Sequence, residues 1–402
     1  MPRRAPRGSG RSEQRPGGGT VRRRIGPVPL SYRSGRPTRR GRRPGVAQQA
    51  RARQRAPRPA DVPPASVPLR KLGLLTIGSF DGADPRAGHE STLGVIELGE
   101  RLGFDGARLR HRHLQYGISS PVAVMAAATQ RTSRIELGTA VTPLGWENPL
   151  RLAEDLATVD VLSGGRINPG VSVGPPMRFA DVRDALYPDT ADAEDFTYER
   201  VRRLVALIRG EPASPFSGRV GIEEFSDRVQ PHSPGLADRI WYGAASPGSA
   251  RWAGEQGLSL LTSSVLKAPG PDATDFAALQ AAQIETFRAA HPAGEQARVS
   301  QGLVVIPTDT ATAQQRAKYA AYVDARTPRT ARPQGPASML FAPDVLGSSE
   351  QVAETLYAHA GFRAVDEVVF ALPFGFEHAD YVQILTDTAT RLGPALGWSP
   401  RT

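Results

Sequence analysis

Between Arg108 and Gln115 the chain reads RLRHRHLQ, with His111 and His113 two residues apart and Arg112 between them. An imidazole titrates near neutrality and can give or take a proton. A guanidinium stays protonated, so Arg112 can bind and orient negative charge but cannot act as a base. On an extended strand His111 and His113 share one face and Arg112 takes the other. Three chemistries are open: acid–base work by either histidine, recognition of an anion or carbonyl edge by Arg112, or a metal ion shared by the two imidazoles. The last is the site of a barrel hydrolase and needs further ligands at later strand ends. His89, His232, His291, His359 and His378 do not fall there, so no metal is expected. Polar residues at a wet rim are the plainest alternative.

A second constellation is GAASPGSARW, Gly243 to Trp252. Ser246-Pro247 reads as a helix start, a capping side chain followed by proline at the first helical position. The amides and dipole of such a start attract anions. Gly248 permits close approach, and the hydroxyls of Ser246 and Ser249 can donate to phosphate oxygens. An ordinary N-cap would read the same way.

These residues need a scaffold. Short aliphatic runs alternate with amphipathic stretches from Leu72 onward, the pattern of βα units. Strands are predicted at 72–78, 106–111, 134–142, 166–174, 239–245, 258–263, 299–306 and 366–374. Ser120-Pro121, Asn148-Pro149 and Ser246-Pro247 open helices, and Gly103, Gly164 and Gly257 close them. Eight strands, each followed by a helix, argue for a (β/α)8 TIM barrel over roughly 70–400. A doubly wound sheet is the alternative, but no G-x-G-x-x-G follows the first strand. In a barrel, helix-to-strand loops lie on the stability face and strand-to-helix loops on the catalytic face. Ser163-Gly164-Gly165 is therefore structural, with Arg166 predicted to meet Asp160 or the last carbonyls of the preceding helix. Ser172-Val173-Gly174 leaves strand four at the catalytic face. Two long segments, 175–238 after strand four and 326–348 after the seventh helix, are predicted lids or substrate walls. The first should hold a helix at 198–209 and a hairpin near VGIEEFSDRVQP.

The run RIELGTAVTPLGWENPLRLAEDLATVDVLSGGRINPGVSVG (134–174) resembles the signature region of the luciferase-like flavin-dependent monooxygenases. ELGERLGFDGARL, VQPHSPGLADRIWYGAASPGSARWAGEQG and VLGSSEQVAETL follow the same family in order. The resemblance implies an oxidoreductase that binds reduced FMN, or a deazaflavin relative, at the C-terminal ends of the strands. It implies a flavin ring resting on a strand-three bulge at Thr139-Ala140-Val141, with a cis peptide between Ala140 and Val141. It implies a phosphate near Ser172 to Gly174 and Ser246 to Ser249. A monooxygenase of this kind acts on a small organic substrate, takes reduced FMN from a separate flavin reductase and works as a homodimer; a deazaflavin enzyme transfers hydride instead. Two departures stand out. Val173 occupies the place of an arginine found in luciferases, with Arg200 a candidate replacement. Arg112 occupies the place of the family's acid–base histidine, so that role passes to His111 or His113 or is absent. A barrel that binds flavin without turnover is the remaining alternative.

Composition sets the outer bounds. Residues 1–65 hold 18 Arg and only two acidic residues, a balance of +16 within a chain whose total is +10, so the remainder is mildly acidic. That arm is too poor in aliphatic residues to fold alone and is expected to be disordered. Only three lysines occur, which favours arginine-rich coding upstream of a later start over a nucleic-acid-binding tail. The absence of cysteine excludes disulfides and thiolate chemistry. With no apolar run of spanning length, a cytoplasmic protein without a membrane partner is expected.

Overall fold

The computed structural model describes residues 68–401; the expected arm at 1–65 lies outside them. Eight parallel strands carry the fold: β1 (Lys71–Thr76), β2 (Gly106–Leu109), β3 (Glu136–Thr139), β4 in two pieces (Ile167–Asn168 and Gly170–Ser172), β5 (Trp241–Gly243), β6 (Ser259–Thr262), β7 (Val299–Pro307) and β8 (Glu367–Ala371). Each pairs with the next, and β8 pairs with β1. The sheet thus curls on itself in the TIM-barrel manner. Pro169 interrupts β4 between the piece that joins β3 and the piece that joins β5, because proline has no N–H for a ladder.

Between the strands lie α1 (Pro85–Arg101), α2 (Pro121–Thr129), α3 (Pro149–Ser163), α4 (Phe179–Leu186), α5 (Glu199–Arg209) and α6 (Pro247–Glu255), with further helices after β6, β7 and β8. Their apolar faces cover the outward residues of the strands. Leu72, Leu74, Leu109, Leu137 and Leu260 are completely buried there, while the alternate residues Leu75, Arg108 and Leu261 face a cavity inside the curl. None of the described helices is long and apolar enough to cross a membrane.

The predicted helix ends are where the sequence puts them. Asn148 accepts hydrogen bonds from the amides of Leu150 and Arg151 at 2.9 and 3.2 Å. Gly164 closes α3 in the left-handed region at φ 71°. Ser120 precedes α2 without a side-chain cap bond. Arg166 meets the last carbonyl of the preceding helix, as predicted, at Ser163 O at 2.9 Å, and also reaches back to Ile135 O at 3.0 Å and Thr132 O at 2.9 Å, which local reading did not foresee. Its alternative partner Asp160 is engaged elsewhere. Arg239 holds that carboxylate through both terminal nitrogens at 2.8 Å, and the Ile167 amide donates to it at 3.0 Å. An arginine 79 positions away was not visible to local reading.

The segment between β4 and β5 contains α5 and an antiparallel hairpin, Gly218–Val220 with Glu223–Phe225. It also contains α4, which the sequence reading did not anticipate. In the later segment, Met339–Phe341 pairs antiparallel with Val265–Lys267, and Val345–Gly347 pairs with β7.

Candidate functional site

A cavity of about 760 Å³ opens at the C-terminal ends of the strands. Arg110, His111 and Arg112 follow β2 into it, Ala140 and Val141 follow β3, Ser172 ends β4 and Val173 follows it, and Ser249 lies on the first turn of α6. Met339 and Phe341, from the later insertion, form a wall, and Tyr198 from the first insertion forms another. A neighbouring cavity shares His111, Arg112, Ser172 and Val173 and adds His113, Gly174 and Met177. Strict alternation fails after Leu109, where β2 ends; His111 and Arg112 both border the first cavity rather than facing opposite ways.

The bulge is visible in the register. Gly138 pairs with Asn168 and Thr142 with Val171, so Thr139, Ala140 and Val141 stand opposite only Pro169 and Gly170. One extra residue on one strand is the definition of a bulge. The Ala140–Val141 peptide is cis. Val141 packs so closely on β5 that a Cβ at Gly243 would come within 2.6 Å of its methyl group. Thr139 is a correction: it is 1 % exposed and borders neither cavity. Its hydroxyl instead donates to Gly170 O at 2.6 Å and accepts from the Gly170 amide at 3.1 Å, fastening β3 to β4 at the break.

The histidines meet a partner that the sequence reading missed. Glu147, between the bulge and α3, brings its Oε1 to 3.8 Å from His111 Nε2. His111 Nε2 lies 2.9 Å from Ser119 O, so its proton belongs on that nitrogen and Nδ1 is left a bare acceptor. Nδ1 is buried without a partner, as is His113 Nε2. His113 lies 4.4 Å from His111 between ring centres and stacks on Trp146 at 4.1 Å. Burial, with the neighbouring His113, pulls the His111 imidazole down to about 4. Burial, with Asp155 nearby, pushes the Glu147 carboxyl up to about 7 against the opposing pull of Arg200. Near neutrality the two are therefore an uncharged base beside an acid at its midpoint, not an ion pair. This arrangement can move a proton. The ligand atoms of His111, His113 and Glu147 also lie within 4.8 Å of one another, so the further ligand a shared metal would need comes from beyond β3, not from strands five or six.

At the other end of the cavity, Ser246 and Ser249 form a capping box. The Ser249 amide donates to Ser246 Oγ at 3.2 Å, and the Ser246 amide donates to Ser249 Oγ at 3.1 Å. Of the donors expected to meet phosphate, the capping box engages these two amides, and Pro247 has none. The Gly248 amide remains, on an exposed turn with open space where a side chain would stand. Ser249 borders the first cavity; Ser246 and Gly248 do not. Arg200 is a clear correction. It is 3 % exposed, and its guanidinium donates to Glu147 O, Glu194, Asp195 O and the Tyr187 hydroxyl. It anchors the first insertion and supplies no cation beside Val173.

Comparison with known proteins speaks to the family and the fold. A family model described as luciferase-like monooxygenase matches residues 71–364. The 4-hydroxyprotoasukamycin monooxygenase of Streptomyces nodosus subsp. asukaensis is 29 % identical over 203 residues, 49 % of this chain and 53 % of that protein. An F420-dependent glucose-6-phosphate dehydrogenase of Intrasporangium calvum is 31 % identical over 184 residues, 41 % of this chain and 51 % of that protein. The chain thus spans about half the length of these curated relatives. Among solved structures, the oxygenating constituent of 3,6-diketocamphane monooxygenase from Pseudomonas putida, in complex with FMN, superposes with a TM-score of 0.59 at 14 % identity, covering 83 % of this chain and 100 % of that one. The F420-dependent tetrahydromethanopterin reductase of Methanopyrus kandleri gives 0.52 at 18 %, covering 82 % and 99 %. Likeness at these identities speaks for the fold alone.

Proposed function

The chain belongs to the luciferase-like monooxygenase family, and from that premise we propose that it is a flavin-dependent monooxygenase using reduced FMN and dioxygen on a small organic substrate. The observation that carries this reading is the bulge at Thr139 to Val141, which sets Ala140 and Val141 at the floor of a cavity large enough for a flavin. The buried, unpartnered Nδ1 of His111 beside that floor fits a polar ring system such as a flavin. Reduced flavin, when bound, supplies two electrons for oxygen activation or for hydride transfer. Ala140 and Val141 would back the ring. Ser172 to Gly174, Gly248 and Ser249 would hold the phosphate end. His111 stays neutral and accepts a hydrogen bond at Nδ1, Glu147 supplies or receives a proton at its carboxyl, and His113, stacked on Trp146, packs with its ring tilted against His111. The insertions that contribute Tyr198, Met339 and Phe341 exclude water from the substrate.

The catalytic unit is residues 70–400, working as a homodimer in the cytoplasm. A separate flavin reductase delivers reduced FMN. Residues 1–65 take no part. The second reading is hydride transfer through a deazaflavin. It is favoured by one feature, Val173, which stands at the end of β4 where luciferases carry an arginine. Difference spectra with FMN and with deazaflavin, followed by oxygen uptake with the reduced cofactor that binds, test the choice. FMN binding with oxygen consumption is the expected result, and deazaflavin binding without consumption selects the second reading.

A further inference from the structure

We propose that Arg110 and Arg112 are the recognition site for a carboxylate carried by the substrate. This rests on the reading of the cavity as a cofactor and substrate site and adds the chemical class of what enters it. Both arginines border the first cavity. Among the described residues, neither side chain makes a hydrogen bond or ion pair with the protein, and the buried Nε of Arg112 has no partner. The Arg110 guanidinium lies over the ring of Phe374 at 4.6 Å while its side chain borders the cavity.

Other arginines of this region are answered. Arg108, two residues earlier and deeper in the curl, donates to Asn168 O and lies near the carboxylates of Glu367 and Glu136. Arg326 pairs with the buried Asp344. Arg200 pairs with Glu194 at 2.9 Å. Arg110, by contrast, has Arg112 and Arg326 as its charged neighbours, and burial together with these like charges lowers its affinity for its proton. Two half-buried guanidiniums bordering one cavity, with no protein anion as partner, are unfavourable for folding and suited to a bidentate oxyanion.

The cofactor phosphate is the obvious competitor for that role, since Arg112 also borders the second cavity with Ser172 to Gly174; the topology separates Arg110 from the helix-start donors. Ser246 to Ser249 follow β5, whereas Arg110 and Phe374 follow β2 and β8, which flank β1. Between β5 and β2 the sheet interposes β3 and β4. A flavin with its phosphate at α6 and its ring over Ala140 and Val141 leaves the arginines to whatever lies beyond the ring.

The test uses the full chain, with benzoate as carboxylate probe and benzamide as its neutral counterpart, read by calorimetric titration and by melting temperature. Benzoate is expected to bind at least about tenfold more tightly than benzamide. Arg110→Gln and Arg112→Gln should each erase that preference while raising the melting temperature of the ligand-free protein, because the like-charge contact is relieved. Arg110→Lys should retain part of it. FMN and riboflavin affinities should stay within about twofold in all three variants. Equal binding of the two probes, binding of neither, or a preference that survives both Gln variants overturns the proposal. So does a selective loss of FMN over riboflavin, which would make the pair a phosphate site. If no flavin binds the wild type but the arginine-dependent preference for benzoate remains, the carboxylate site stands and the flavin reading fails.

Discussion

The two ends of β4 treat polar groups in opposite ways. At the end where the strand begins, Asp160 accepts from Arg239, Ser233 and the Ile167 amide, and Arg166 donates to the carbonyls of Ser163, Ile135 and Thr132. At the end where it finishes, His111 Nδ1, His113 Nε2 and Arg112 Nε are buried with nothing to bond. Buried polar groups are costly unless partnered. A chain that gives Asp160 and Arg166 several partners at one end and leaves these three atoms open at the other has made the first a structural joint and the second a binding site. The difference also assigns the two glycine breaks of this stretch: Gly164 stops a helix, and Gly174 borders the second cavity.

The largest effect should come from breaking the joint. Arg239→Ala leaves the fully buried Asp160 carboxylate without its cation, and unfolding by denaturant should register a loss of about 3–5 kcal/mol. Flavin affinity should not change. Burial alone would raise the Asp160 carboxyl, but hydrogen bonds from Arg239, Ser233 and the Ile167 amide outweigh it and hold it below the ordinary aspartate value. A depressed carboxyl contributes stability above its unfolded value and loses it as pH falls through the folded one. The wild type should therefore lose this increment in acid, and the variant should show less of that acid-dependent loss.

Next in size is the open end. Glu147→Gln should cut oxygen uptake with reduced FMN by about a hundredfold and remove the limb of the pH profile near 7, the value to which burial and Asp155 push this carboxyl. Retention of that limb in the variant assigns it to another group.

Val173→Arg sharpens the comparison by adding a cation at the end of β4, beside those of Arg112 and Arg178. FMN affinity should rise by about tenfold while riboflavin affinity stays constant, since only FMN carries the phosphate. An equal rise for both ligands moves the phosphate away from the end of β4.

The smallest effect is on the melting temperature of Glu147→Gln. A carboxyl whose folded value is raised contributes stability below its unfolded value and loses it as pH rises through the folded one. The variant should match the wild type below about pH 4 and melt a few degrees higher above about pH 8, with the crossover set by a folded value of about 7. A variant that melts lower at high pH contradicts the account of an ionised, poorly compensated carboxylate.

What could be read from the sequence was local. Asn148-Pro149 and Ser246-Pro247 mark helix starts within two residues, and the aliphatic runs mark strands to within a few positions. The bulge and the family were legible because GTAVTPL and LSGGR form a contiguous pattern. The site was only half legible. His111 and Glu147 are 36 positions apart, and Arg239 meets Asp160 across 79; periodicity does not say which side chains meet at the end of a curled sheet. Arg200 misled because a cation near the right strand looks available until its five donors are traced to Glu147, Glu194, Asp195 and Tyr187. The Ser246 and Ser249 hydroxyls were read as phosphate donors for the same reason, although a capping box engages them first.

The claim that the open end of the sheet is reserved for a phosphate-bearing flavin is tested most directly by calorimetric titration of the wild-type protein with FMN and with riboflavin. FMN should bind at one site per chain, at least about tenfold more tightly than riboflavin. Saturable binding of neither, or equal affinity for both, would contradict it.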